Sequence, residues 1–227
     1  VECTADHAFA LLLAVARRIP KGQADVKEGR WRDWLIKGIV GRELYGATLG
    51  IVGLGHIGTA VARRAKGFSM RILYTSRTRK PEAEADLGVE WRSLDDILRE
   101  SDYVSIHTAL TPETRGLIGA REIGLLKPTA IVVNTARGPI VDQRALYQAL
   151  RDGTIYGAGL DVCDPEPMDP ADPMLALENA IVLPHNASAG AGTRARMSEL
   201  AATNLIEGVY GRRPPHVVNP SVLTSPL

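Results

Sequence analysis

The sequence predicts an α/β protein, a doubly wound parallel sheet with helices on both faces, and three observations carry that prediction. The first is the stretch Thr48-Leu49-Gly50-Ile51-Val52-Gly53-Leu54-Gly55-His56-Ile57-Gly58, an apolar strand running straight into a glycine turn. After the turn, Ala60, Val61 and Ala65 recur at helical spacing among Arg63, Arg64 and Lys66. The second is the alternation of strand and helix patterns from residue 47 onward, which implies parallel strands joined by right-handed crossovers. The third is Ala130-Ile131-Val132-Val133, apolar without alternation, as a strand buried on both faces requires.

Each glycine of the G-x-G-x-x-G pattern has its own task. Gly53 allows the tight turn, Gly55 lets backbone approach a pyrophosphate, and Gly58 lets the helix pack closely on the strand. The free N–H groups and the dipole at the helix start favour a bound anion. Strand before, helix after and a second strand at Met70–Tyr74 together make this a dinucleotide-binding (Rossmann) turn.

Bulk properties narrow the class further. A chain of 227 residues with 45% hydrophobic and 23% charged residues builds a globular core and is not a disordered segment. A net charge of +1 gives no pull towards nucleic acid or an anionic membrane. The two cysteines, Cys3 and Cys163, lack metal-ligand spacing, so no metal is expected, and two thiols fit a reducing, cytoplasmic compartment. The best apolar run, Ala8 to Ala16, is too short to span a membrane.

In chain order, a helical pattern runs from Thr4 to Arg18 and is apolar nearly all round, through Ala5, Ala8, Phe9, Leu11, Leu12, Leu13 and Val15. It must be buried against something large: a dimer partner, a further domain, or the core of this one. Residues 21–46 are charged and broken by glycine, and are expected to form a long loop with a short helix anchored by Trp31 and Trp34. Strands are expected at 48–53, 70–75, 103–107, 129–134, 156–161 and 180–183, and helices at 57–67, 94–99, 119–125 and 143–152. Prolines 165, 167, 170 and 173 mark a loop between the last two strands, and a helix at 190–210 follows.

The second strand should end in an acidic residue if the cofactor is NAD. It ends instead in Tyr74-Thr75-Ser76-Arg77-Thr78-Arg79-Lys80. Arg77 is suited to pair with a 2′-phosphate, and Ser76 and Thr78 to hydrogen-bond it, so NADP is expected, with NAD possible. Three polar residues follow strands of the second half, where ligands bind in open α/β sheets: Arg137, Glu166 and His185. Each alone is unremarkable. Together they supply hydride chemistry on a carbonyl: Arg137 holds a carboxylate, His185 donates a proton to the developing alkoxide, and Glu166 orients the imidazole and raises its pKa.

With these residues in view, the chain resembles the D-isomer-specific 2-hydroxyacid dehydrogenases over nearly all of 4–220. The resemblance rests on Gly53–Gly58, Leu110-Thr111-Pro112-Glu113-Thr114, Asn134-Thr135-Ala136-Arg137-Gly138, Gly159-Leu160-Asp161-Val162 with Glu166-Pro167, and Pro184-His185 with Ser188. It implies a catalytic triad of Arg137, Glu166 and His185. It also implies cofactor contacts from His56 and Ile57 in the glycine turn, from Thr114, Thr135, Ala136, Arg137, His185 and Ala187, and from Asp161, which matches the residue holding the nicotinamide carboxamide. The nearest branch is similar to the glyoxylate/hydroxypyruvate reductases, which favour NADPH and whose second strand also ends Ser-Arg-Thr. A homodimer and a small 2-oxo or 2-hydroxy acid substrate follow from the same resemblance.

Three departures stand out. Asn186 replaces the usual Ile beside His185, and Ala109 replaces the usual Pro before Leu110. The sequence also starts after the half of a substrate domain with which family members begin. The expected organisation is therefore residues 1–188 as the dinucleotide-binding domain, including an interdomain helix, and 189–227 as a segment returning to a largely absent second domain. Cofactor binding should survive that arrangement better than turnover. A corepressor-like binding module shares the fold and the triad, but nothing in the sequence suggests peptide recognition. A short-chain dehydrogenase is excluded because no tyrosine has Lys four residues on.

Overall fold

The apolar runs pair into a seven-stranded, fully parallel sheet among the described residues, 1–32 and 38–221 of the computed structural model. Its strands are β1 (Thr48–Val52), β2 (Arg71–Thr75), β3 (Glu90–Trp91), β4 (Tyr103–Ile106), β5 (Ile131–Asn134), β6 (Gly157–Leu160) and β7 (Ala180–Val182). The order β3-β2-β1-β4-β5-β6-β7 reverses direction between β1 and β4, the point where open α/β sheets form a ligand crevice.

Register decides what meets at that edge. Val52 pairs with both Thr75 and Ile106, Ile106 with Asn134, Asn134 with Leu160, and Leu160 with Val182. These six residues form one row across the sheet. The next residue of each strand therefore emerges along one carboxyl edge: Gly53, Ser76, His107, Thr135, Asp161 and Leu183. Residues far apart in sequence are brought side by side by strand pairing alone.

Helices cover both faces. α1 (Glu2–Ala16) packs against β5, β6 and β7 and against α3 (His56–Gly67). Ala5, Ala8, Leu11, Leu12 and Val15 are each 5% exposed or less, so the core of this unit is what buries the apolar helix. The glycines of β6 permit the approach: a Cβ on Gly159 would stand 3.1 Å from Leu11 Cβ, and one on Gly157 2.6 Å from Val15 Cγ1. α5 (Leu94–Glu100) and α7 (Gln143–Arg151) start at Ser93 and Asp142, whose side chains accept the N–H of Asp96 and Ala145. α6 (Ala120–Ile123) is a single turn.

Two elements, α4 (Pro81–Leu87) and β3, were not in the sequence prediction, and a third, α2 (Ile19–Lys27), was expected only as an unplaced short helix. α2 buries no residue; Pro at its start and the Lys21–Asp25 pair at 2.9 Å favour it locally. α4 also begins with proline, carries Glu82 and Glu84 in its first turn, and stops at Gly88 with φ +68°. β3 is an edge strand of two residues. Trp31 is 73% exposed and anchors nothing, which corrects that expectation, while Trp34 lies outside the described residues.

The described chain divides into two compact units, Val1–Ala187 and Ser188–Leu227. The second is built on α8 (Ala191–Val209). Asn204 binds both backbone groups of His216, donating to its carbonyl at 2.9 Å and accepting its N–H at 3.0 Å, and Glu207 takes Arg212 bidentately. No described helix is long and apolar enough to cross a membrane.

Leu11→Ala is expected to destabilise the first unit by roughly 2–5 kcal/mol, because β6 has no side chain at Gly159 to collapse into the cavity. Chemical denaturation checks this; a loss below about 1 kcal/mol would mean that α1 is not part of the cooperative core.

Candidate active site

The glycine turn has the conformation that its sequence requires. Gly53 sits at φ +100°, and a Cβ there would be 2.7 Å from Thr108 N. A Cβ on Gly58 would overlap the carbonyl oxygen of Gly53, so this glycine sets how closely α3 meets the turn. Gly55 differs: a Cβ there would meet nothing within 4 Å. Its bareness keeps space open over the start of α3. That helix has no side-chain cap and no acidic residue in its first turn, so its leading N–H groups are available to an anion. His56 and Ile57 open the helix, and the lining of a cleft of about 1120 Å³ beside them includes the cations Arg63, Arg79 and Lys80 and the acids Glu2, Glu82 and Asp86. Turn and open helix start fit a dinucleotide phosphate.

At the end of β2 the basic cluster is partly committed. Arg79 pairs bidentately with Glu84, both bonds at 2.8 Å, and Glu84 also accepts the Tyr74 hydroxyl at 2.7 Å. Ser76 donates its hydroxyl to Thr78 O at 2.7 Å. Arg77 is exposed, and its charge helps hold the Glu113 carboxyl below the ordinary carboxylate range, after the larger effect of the Thr111 hydroxyl. Thr114 stitches its own loop, accepting Thr111 N and donating to Ala109 O, both at 2.7 Å.

Beyond β5, Asn134 folds the next turn over its own side chain: its Oδ1 accepts Ala136 N at 3.0 Å and its Nδ2 donates to Arg137 O at 2.9 Å. Thr135 is 7% exposed, and its Oγ1 is buried with no partner among the described residues. A buried hydroxyl left unpaired is costly. Arg137 is exposed and donates one N–H to Ala136 O at 2.6 Å, leaving the rest of its fork. Gly138 then lies flat on Cys163: a Cβ there would overlap the Cys163 carbonyl, so the Arg137 turn and the Glu166 loop touch backbone to backbone.

Glu166 is held from two sides. Oε1 accepts Cys163 N at 3.0 Å, and Oε2 lies 2.8 Å from His185 Nδ1. Burial pushes its pKa up, but the His185 bond, the Cys163 N–H and the charges of His185 and Arg137 outweigh this and keep the carboxyl below its usual range. Glu166 is therefore a carboxylate facing an Nδ1–H. His185, Glu166 and Cys163 line a cavity of about 500 Å³ walled by Pro167, Met168 and Leu183.

His185 has φ +50°, the left-handed region, which costs a residue with a Cβ on the order of 1–3 kcal/mol. Asp161 offsets this. Its carbonyl accepts His185 N at 2.8 Å, Oδ1 accepts Asn186 N at 2.9 Å, and Oδ2 accepts Ala187 N at 2.9 Å. Asp161 is fully buried, and in this structure its carboxylate is occupied by the turn that carries His185.

Two histidines escaped the sequence reading. His107 follows β4 directly beneath the glycine turn; its N–H donates to Val52 O at 2.8 Å, and its Nε2 lies 2.8 Å from Ser105 Oγ. Burial lowers its pKa to about 4. Its place one residue past a central strand was the available signal. His7 on α1 stands with Nε2 3.1 Å from Asp161 Oδ1, a contact no local pattern announces. Because folded His107 titrates near 4 and the unfolded side chain near 6.5, the unfolded state binds more protons between those values. Stability is expected to fall as pH drops from about 6.5 towards 4, and His107→Asn to flatten that slope. Denaturation at several pH values reads it; identical slopes in both proteins would place the titration elsewhere.

Comparison with known proteins agrees with this geometry. Residues 9–187 match the family model for the D-isomer specific 2-hydroxyacid dehydrogenase, NAD binding domain. A glyoxylate reductase of Korarchaeum cryptofilum is 53% identical over 223 residues, covering 98% of this chain and 67% of that protein. A glyoxylate reductase of Pyrococcus furiosus is 51% identical over 226 residues, again covering 98% and 67%. Among solved structures, a protein of Thermus thermophilus superposes with a TM-score of 0.91 at 50% identity, over 96% of this chain and 68% of that one. The D-lactate dehydrogenase of Aquifex aeolicus, complexed with NAD and lactic acid, gives 0.83 at 31% identity, over 92% and 66%. The chain thus spans about two thirds of the length of these relatives. A parallel sheet with a phosphate-ready glycine turn, matched over most of its length, makes this chain a member of the D-isomer-specific 2-hydroxyacid dehydrogenases, enzymes that use a nicotinamide cofactor.

Proposed function

We propose that this chain reduces a small 2-oxo acid of the glyoxylate or hydroxypyruvate type to the D-2-hydroxy acid, with NADPH as the preferred cofactor. The observation that carries the chemistry is the His185–Glu166 pair at 2.8 Å on the carboxyl edge of the sheet, with Arg137 beside it. A bound nicotinamide supplies the hydride to the carbonyl carbon. The chain's own residues do the rest. Arg137 offers the unused part of its guanidinium fork to the substrate carboxylate. Glu166 accepts the Nδ1–H of His185, which fixes the orientation of the ring. When protonated, His185 would give its Nε2–H to the carbonyl oxygen, and the half-exposed ring would recover that proton from solvent. Glyoxylate reductases at about half identity support the substrate class.

For the cofactor, the support is local. No carboxylate ends β2 to repel a 2′-phosphate, Arg79 is committed to Glu84, and Arg77 and Lys80 remain as cations at that edge. Thr135, Ala136 and Ala187 border the nicotinamide end in this reading. We further infer a homodimer in a reducing compartment such as the cytoplasm: Ile19, Val26, Trp31, Val40 and Tyr45 are all more than half exposed, and neither cysteine is in a disulfide.

Arg77→Asp is expected to weaken NADPH binding roughly 10- to 100-fold, the loss of a charge-assisted contact, and to spare NADH. Calorimetric titration with both cofactors decides it; equal affinities before and after the change would sink the NADP assignment. In a protein with the other half of the substrate domain restored, His185→Ala is expected to leave NADPH affinity unchanged and to lower glyoxylate turnover on the order of 10²- to 10⁴-fold. Retained turnover would mean that the proton comes from another group.

A further inference from the structure

The contact between His7 and Asp161 joins α1 to the turn that carries His185. His7 Nε2 is buried and lies 3.1 Å from Asp161 Oδ1, a close contact short of hydrogen-bond geometry, and it has no hydrogen-bond partner among the described residues. Asp161 has no exposed side-chain surface. A carboxylate so placed must be balanced by donors, and the N–H groups of Asn186 and Ala187 supply one to each oxygen. A carboxylate offers about four acceptor sites, so each oxygen has room for another donor. A carboxylate cannot donate, so the ring nitrogen facing it must carry the hydrogen, whether the imidazole is neutral or charged. His7 thus meets Oδ1, the same oxygen that holds the residue after His185.

We propose that His7 is a positioning residue for His185, acting through the Asp161 carboxylate from the first helix of the chain. His7 orients the carboxylate. The carboxylate then holds residues 186 and 187, and these keep His185 in its left-handed conformation facing Glu166. The consequence for proton transfer rests on the proposed role of His185, whereas the coupling of His7 to the turn does not.

The test is amide hydrogen exchange at Asn186 and Ala187 by NMR on the 227-residue chain, in wild type, His7→Leu and His7→Gln. His7→Leu keeps the bulk and removes the donor; Gln puts a side-chain N–H back near the Nε2 position. We expect exchange at both amides to rise on the order of tenfold in His7→Leu, with the amides of β1 and β4 unchanged, and His7→Gln to restore most of the protection. Wild-type protection of 186 and 187 in His7→Leu would overturn the proposal. So would equal loss in both variants accompanied by equal loss across β1 and β4, which would mark general destabilisation. The two readings fail separately: exchange reports on the turn whether or not His185→Ala retains turnover.

Discussion

A buried carboxylate at the end of β6 takes on the backbone of a strained turn, and the proposed chemistry of the second half of the sheet depends on it. Asp161 accepts three consecutive N–H groups, from His185, Asn186 and Ala187, one through its carbonyl and two through its side chain. Left-handed backbone at His185 persists only because the surroundings over-determine it. Were the carboxylate absent, the part-buried N–H of Asn186 and the buried N–H of Ala187 would lose their acceptors, and the turn would lose the bonds that hold it against Glu166.

The same logic of backbone fixing backbone recurs around the edge. Asn134 folds the Arg137 turn over its amide, Cys163 N–H holds one oxygen of Glu166, and Gly138 lets the two loops touch directly. The three polar side chains of the proposed triad thus sit on loops whose shapes are set by main-chain bonds, while the side chains remain exposed enough to meet a substrate. At the other side of the switch point the arrangement is inverted. There the glycine turn supplies no side chain, and the uncapped N–H groups at the start of α3 are the proposed binding surface. In this reading one half of the edge binds by being bare, and the other acts through side chains held in place.

Much of this was legible in the residues. Non-alternating apolar runs such as Ile131–Asn134 can only be strands covered on both sides, so the sheet and its parallel sense followed from pattern, with ends off by a residue or two. α4 and β3 were not legible, and α2 was expected only as a short helix without bounds. α2 and α4 are short, rich in charge and opened by proline, and β3 is two residues long, so none carries a period that would place it. Trp31 was read as an anchor because large aromatics usually bury surface, yet anchoring needs a neighbour, and the tertiary structure leaves this one 73% exposed.

The sequence by itself determined the sheet, the glycine turn and the family, because each is written in a local run of residues whose spacing has one physical solution. It also named Arg137, Glu166 and His185 by their places after strands. Only the tertiary structure decided that Glu166 and His185 lie 2.8 Å apart, that Arg79 is spent on Glu84, and that Asp161 and His7 stand behind the His185 turn. Those facts depend on register between strands and on a helix laid across the sheet, and a contact between distant residues leaves no period in the chain that makes it.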